Sequence, residues 1–308
     1  MRPLLTIAAT LLLATSAFAD DGGMDDCLGK SSADKPPSST GLSVIANAGA
    51  YWADKVTANF YSGRPENDDI NHNTIDRILH SNTYGQQIWQ NLKTQGLISD
   101  AVESYQNLQI VEYPDMYYRT SYQVGAGIRY DYASGIGWLL RADLSRLEAI
   151  GAFNLSTDNG VGILGGDQYI RCGMLGQEDR INIDLAITGQ LDVGGNIVLE
   201  VDLGASLINT KVRENIMEIG GATYSILNRT GGQTPDYGVG SYEYINQGGV
   251  GYGVFMSALV GYLIPSIGSL KAGYTCYQSK TVLTGYTAWG WQHMLGVRIE
   301  MNNFKLFN

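Results

Sequence analysis

Charged residues recur at alternate positions near the ends of several segments: Arg129 and Asp131, Arg141 and Asp143, Asp184, Glu200 and Asp202, Lys271, and Arg298 and Glu300. Six acids and four bases enclosed together have to neutralise one another, because an isolated buried charge is costly to desolvate. Two chemistries suit such a set. It can serve as an ionic gate or proton path, or as a salt-bridged plug that fills an interior and holds its walls in register. Most of these residues lie two to six positions from one end of their segments, with Asp184 one position further, which predicts a single charged layer.

Catalysis has less to work with. His72 and His80 have no nucleophile motif nearby, and His293 sits in an apolar row between Trp291 and Leu295. General acid–base work needs a hydrogen-bonded partner for each histidine, so no enzymatic activity is expected. Cys27, Cys172 and Cys276 form neither a Cys-x-x-Cys pair nor a Cys/His cluster, so no structural zinc site is expected. Pro65-Glu66-Asn67-Asp68-Asp69 supplies oxygen ligands but lacks the spacing and glycine of a calcium-binding loop. No Walker loop or HExxH is present. The expectation is no cofactor and no metal.

The elements that would position the charges show as period-two alternation, the mark of a strand with two unlike faces. One face is apolar: Leu42 to Trp52, Tyr122 to Tyr132, Ile181 to Ile187, Ile197 to Leu207, Val250 to Tyr262 and Trp289 to Met301, taking every second residue. The opposite face holds the charges and many of the 39 glycines. Only 16% of residues are charged, well below the usual quarter or so of a soluble chain. No apolar stretch reaches the roughly 18–20 residues of a spanning helix. Apolar rows with aromatics near their ends and a polar, glycine-rich opposite face suit a membrane barrel better than a soluble sandwich. The net charge of −10 argues against nucleic-acid binding.

Connections alternate between short and long. The short ones are 134–137, 192–195 and 265–268; the long ones are 63–117, 157–166 and 220–247, with a brief one at 284–287. Strands are expected over about 42–62, 118–133, 138–156, 167–191, 196–219, 248–264, 269–283 and 288–304. A count of ten would split 42–62 at Asp54-Lys55 or 167–191 at Glu178-Asp179. The expected fold is all-β: a transmembrane antiparallel up-and-down barrel of eight strands with a long helical first external loop. Residues 1–19 have the early Arg2, apolar run and Ala17-Phe18-Ala19 ending of a cleaved signal peptide. Residues 20–40 read as a flexible periplasmic leader, and 41–308 as the barrel.

With those segments and turns, the chain resembles the small outer-membrane barrels of the OmpA/OmpX type. The stretch from Ala58-Asn59-Phe60-Tyr61 to Ile88-Trp89, followed by Tyr113-Pro114-Asp115-Met116, is similar to uncharacterised outer-membrane proteins of Bacteroidota. The resemblance implies location in a bacterial outer membrane and contact with its lipid and lipopolysaccharide. Such barrels often end on an aromatic residue, whereas Asn308 follows Phe307 here, so Phe304 or Phe307 would have to serve. Within 63–117, Ile75, Ile78 and Leu79 have helical spacing after a capping Asn73-Thr74, and Ile88, Trp89 and Leu92 form a second apolar cluster. These faces suit a self-packed lid over the barrel mouth, entry into the lumen, or a partner surface. The loop 220–247 mixes Tyr237, Tyr242 and Tyr244 with glycines, so loops 63–117 and 220–247 are the candidates for contact with an external partner. Two roles follow: envelope structure or surface interaction with a plugged lumen, or a porin-like narrow channel or small-ligand transporter gated by 63–117.

Overall fold

Alternating segments fold as strands because neighbouring side chains of an extended backbone point to opposite sides. The computed structural model describes residues 41–65, 74–99, 102–133, 135–157, 169–226, 248–264 and 268–301. The signal peptide and leader expected over 1–40, and the acidic stretch from Glu66 to Asp69, lie outside these residues. In chain order the strands are β1 (Gly41–Trp52), β2 (Leu108–Glu112), β3 (Tyr117–Tyr118), β4 (Ser121–Ala133), β5 (Ile136–Thr157), β6 (Ile170–Gly194), β7 (Ile197–Ile219), β8 (Ala222–Ser225), β9 (Gly248–Ile264), β10 (Gly268–Leu283) and β11 (Tyr286–Met301). Among the described residues three α-helices lie between β1 and β2: α1 (Lys55–Ala58), α2 (Ile75–Leu79) and α3 (Tyr84–Thr94).

Eight strands close a ring in the order β1-β4-β5-β6-β7-β9-β10-β11, each antiparallel to both neighbours. The seam is β1 against β11, with Val44 opposite Met301 and Trp52 opposite His293. Closure removes the unpaired edges that an open sheet would present. The short β2 and β3 add onto β5, and β8 adds onto β7. Of the two places where ten strands would have required a split, neither adds a ring strand. At Glu178-Asp179 β6 runs on without a break. At Asp54-Lys55 the chain leaves the ring as a helix.

Three expectations are corrected here. The first strand ends at Trp52, not at residue 62. Asp54 accepts a hydrogen bond from the Val56 amide at 2.6 Å and so caps α1, and its other oxygen accepts from the Trp291 amide at 2.7 Å. The segment 63–117 is mixed rather than helical, since its later part forms β2 and β3 against β5. The connection 220–247 does not begin as a loop. Gly220 and Gly221, at φ 56° and 71°, make the tight turn that joins β7 to β8; two consecutive residues at positive φ are what a two-residue hairpin of this hand requires.

The wall changes polarity along its height. Over its lower part, Ile128, Leu140, Leu144, Ile183, Leu185, Leu199, Leu207, Val254, Val260 and Val297 are exposed outside, while Asn47, Arg141, Asp184, Asp202 and Ser257 are buried inside. Above the rung that aligns Arg146, Asp179 and Lys211, the pattern inverts. The inner side becomes Phe153, Leu155, Cys172, Met174, Met217 and Ile219, all buried, and the outer side becomes mixed, with Glu148, Arg171, Gln177 and Glu218 beside Ile150, Leu175 and Ile216. The tall upper parts of β5, β6 and β7 thus wrap a second core, into which α2, α3, Phe60 and Tyr61 pack. The apolar outer row from Ile197 to Leu207 spans ten residue steps. At about 3.3 Å per residue and a strand tilt of about 40°, that is about 25 Å, the height of a barrel's apolar band.

A bulge sits at the inversion. Gln177 pairs with Glu214 and Glu178 with Val212, leaving Arg213 as the extra residue on β7. A bulge re-aims side chains, and both Arg213 and Glu214 are exposed here.

Candidate functional site

The lumen holds the ten charges singled out by their alternation, in two salt-bridged clusters that adjoin where Arg141 and Arg298 line one small cavity. The lower cluster gathers Arg129, Asp131, Glu200, Asp202, Lys271, Arg298 and Glu300 around the Glu200 carboxylate. One oxygen of Glu200 accepts from both Arg129 and Lys271, and the other from Arg298. Arg129 also donates to Asp131 at 2.9 Å, Arg298 approaches Asp202 at 2.9 Å, and Lys271 pairs with Glu300. The second cluster is Arg141 with Asp143 at 3.0 Å and Asp184 at 2.8 Å. Residues equally far from their turns sit at different heights because strands of a barrel are staggered. That stagger separates Arg141, Asp143 and Asp184 from the rest.

Uncharged side chains complete both clusters. Gln190 accepts from Arg129 at 3.1 Å and from Lys271 at 3.2 Å. The Tyr277 hydroxyl accepts from Arg141 at 2.7 Å and donates to Asp184 at 3.1 Å, and Asn47 donates to Asp143 at 2.7 Å. Arg141 also lies 5.1 Å from the centre of the Phe255 ring. A small cavity of about 10 Å³ lies beside Asn47, Arg141 and Arg298.

A third ion pair, Arg180 with Glu178, stands higher in the lumen, and both side chains are fully buried. Alternation carries its signal, since Glu178-x-Arg180-x-Asn182-x-Asp184 is one inward row. This pair meets the segment that follows β1. Arg180 donates to Thr57 at 3.1 Å and to the Tyr118 hydroxyl at 3.3 Å, and the Tyr61 hydroxyl donates to Glu178. The Tyr61 ring lies over Gly176, where an added Cβ would come within 2.3 Å of it, so only glycine leaves it room. Residues 55–62 therefore stopper the barrel from the loop end, tied down further by Tyr286, whose hydroxyl donates to the Val56 carbonyl at 2.7 Å.

The stopper has a pH signature. Burial pushes the Tyr61 hydroxyl well above its ordinary pKa, and the neighbouring Glu178 charge pushes the same way. An exposed tyrosine in the unfolded chain ionises near 10. Above that pH the unfolded state holds fewer protons than the native one, so stability declines as pH rises towards the native value. Tyr61→Phe is expected to remove this part of the alkaline decline. Urea titrations of both proteins at pH 8 and pH 10.5 measure it; an equal alkaline loss in the two would refute the assignment.

The apolar residues singled out in the first loop are placed together. Ile75, Ile78, Leu79, Ile88 and Leu92 are buried in the upper core, and Trp89 packs against it with its ring nitrogen donating to the Val102 carbonyl at 3.0 Å. His80 Nδ1 lies 2.9 Å from the Asp76 carbonyl oxygen, and His293 stacks on Tyr274 on the outer wall, opposite Cys276. His72, Cys27 and the tyrosines of 237–244 lie outside the described residues. Cys172 and Cys276 are both free thiols.

No protein-family model matches the chain, and no curated protein matches it. Among solved structures it is similar to Neisserial surface protein A, with 9% identity and a TM-score of 0.39 over 85% of this chain and 97% of that one. It is similar to the outer membrane protein OprG from Pseudomonas aeruginosa, with 10% identity and a TM-score of 0.36 over 86% and 98%. Ail, the attachment invasion locus protein of Yersinia pestis, solved with the heparin analogue sucrose octasulfate, gives 9%, 0.32, 85% and 100%. At these identities and TM-scores the likeness carries no inference about role.

Proposed function

We propose that this barrel is an integral protein of a bacterial outer membrane, exported with a cleaved signal peptide, that serves envelope structure or surface contact without enzymatic activity or solute conduction. The observation that carries the membrane assignment is the inverted wall. Hydrocarbon accepts Leu144, Ile183 and Val297 on the outside, where water would not favour them. A closed ring also leaves no backbone group of the spanning strands without a partner, as a lipid environment demands.

The closed lumen follows from its occupants. Arg129 and Arg298 reach Glu200 three strands away, and Arg141 reaches Tyr277 on the far side of the ring of eight, a size whose interior side chains fill. Each cation meets carboxylates already in place, so a permeating ion would have to displace a paired group, and the stopper stands above. Full-length protein folded into planar bilayers is expected to show no stable openings, and fractionation is expected to place it in the outer membrane with heat-modifiable gel migration. Steady single-channel steps would replace this reading with that of a narrow channel. A soluble fraction lacking β circular dichroism would remove the membrane assignment itself.

A further inference from the structure

Lysine and arginine are distributed unevenly over the wall. On the ring strands, Arg129, Arg141, Arg180, Lys271 and Arg298 are buried in the lumen. The outward ones among the described residues are Arg146, Arg171, Lys211, Arg213 and Lys280, and every one lies towards the loop end. The turn end of the outer wall carries aromatics instead, among them Tyr130, Tyr132, Trp138 and Tyr262.

Three of the five outward cations gather where the wall changes polarity. Arg146 and Lys211 are the direct cross-strand neighbours of Asp179, and the bulge adds Arg213 beside them. Asp179 accepts from Arg146 Nε at 2.9 Å on one oxygen and takes the Arg213 guanidinium on the other. Both arginines stay accessible, at 63% and 48% side-chain exposure. Against Asp179 and the neighbouring Glu214, three cations leave the cluster with a formal charge of +1 (3 − 2). Directly below it Leu144 and Ile181 form exposed apolar wall beside Asn209, and Leu207 continues that wall one step lower.

We infer that Arg146, Lys211 and Arg213 seat the phosphate of a membrane lipid whose acyl chains lie along Leu144, Ile181 and Leu207. The inference rests on the membrane assignment proposed above. Guanidinium groups bind phosphate oxygens through paired donors, and Asp179 holds two of them side by side. A soluble phosphate uses only the charges, whereas an amphiphile uses the charges and the apolar wall together. The bulge serves this arrangement by turning an additional residue outward at the boundary, and that residue is an arginine.

The test uses the full-length protein in nanodiscs of phosphatidylcholine with a minor share of phosphatidic acid, and reads by native mass spectrometry which lipids stay bound. Wild type is expected to enrich phosphatidic acid about fivefold to tenfold over its bulk share, as a preference of about 1 kcal/mol implies. Arg146→Gln with Arg213→Gln should bring enrichment close to one, the doubly lysine-substituted protein should fall between, and Lys280→Gln should leave it unchanged. Undiminished enrichment in the double glutamine variant, or displacement by millimolar inorganic phosphate, would overturn the site. Heat-modifiable migration is read on every variant. A wild type that fails to insert defeats the membrane assignment, whereas one that inserts without enrichment defeats only this site.

Discussion

Glu200→Leu is expected to lower the unfolding free energy by about 3–5 kcal/mol, the cost of removing one partner from a buried ionic group. The substitution tests whether local pairing or overall charge governs the lumen. The lower cluster holds three cations, Arg129, Lys271 and Arg298, against four acids, Asp131, Glu200, Asp202 and Glu300. Losing Glu200 brings it to formal balance (3 against 3), so an argument from net charge alone predicts a gain. The geometry predicts the reverse, because Glu200 is the one carboxylate that accepts from all three cations. Glu200→Gln keeps an acceptor and a similar volume and should fall between. Asp131→Asn, with one arginine partner and 14% side-chain exposure, should cost only about 1 kcal/mol. Urea unfolding in detergent micelles, followed by tryptophan fluorescence, ranks the variants. A Glu200→Leu protein as stable as wild type would show that the cluster does not hold the barrel together.

The second large effect belongs to the stopper. Phe60 is 1% exposed, its ring 5.0 Å from that of Tyr61 and 6.0 Å from that of Tyr286. Phe60→Ala is expected to cost about 3–5 kcal/mol of local stability, the usual range for truncating a buried aromatic. Tyr61→Ala adds less than its own value on top, since the two rings touch and share neighbours. The loss should be confined to the loop end because the stopper is anchored there, at Trp291, Tyr286, Glu178 and Arg180. Amide exchange over residues 55–62 should accelerate by about a hundredfold or more, as some 3 kcal/mol implies, while the amides of β9 and β10 keep their protection. Uniform acceleration around the ring would mean that the stopper and the barrel unfold as one unit, and unchanged exchange would mean that the rings contribute little.

The barrel was legible because an apolar outer face and a polar inner face impose a strict period of two, and Val250 to Tyr262 keeps it without interruption. Legibility fails where that constraint lapses. Beyond Trp52 the chain turns inward, where every side is packed, so Thr57, Ala58, Phe60 and Tyr61 carry no alternation and their helix shows only in the capping Asp54. The long β5–β7 strands hid their change of polarity, since an upper half with apolar residues inside has the same period as a lower half with apolar residues outside. On β5 and β6 only the phase of the apolar residues differs, and on β7 not even that, since the bulge at Arg213 lets Leu207 outside and Met217 inside share one phase. Among the charges, identity was readable and height was not, because the stagger between strands is a property of the closed ring. Tyr277, Gln190 and Asn47 were missed as members of the network because uncharged polar residues are common on any inward face. Their importance comes from standing beside Arg141, Arg129 and Asp143.

The seam between β1 and β11 has a consequence for biogenesis. Arg298 and Glu300 ride on the final strand, while their partners Glu200, Asp202, Lys271 and Arg129 belong to strands made earlier. Completing the cylinder and pairing Asp202 with Arg298 are therefore a single late event. A nascent sheet without β11 lacks the Arg298 guanidinium beside Asp202 and has two open edges as well. Contacts this distant in sequence form slowly, so closure of the β1–β11 seam is expected to come late in folding.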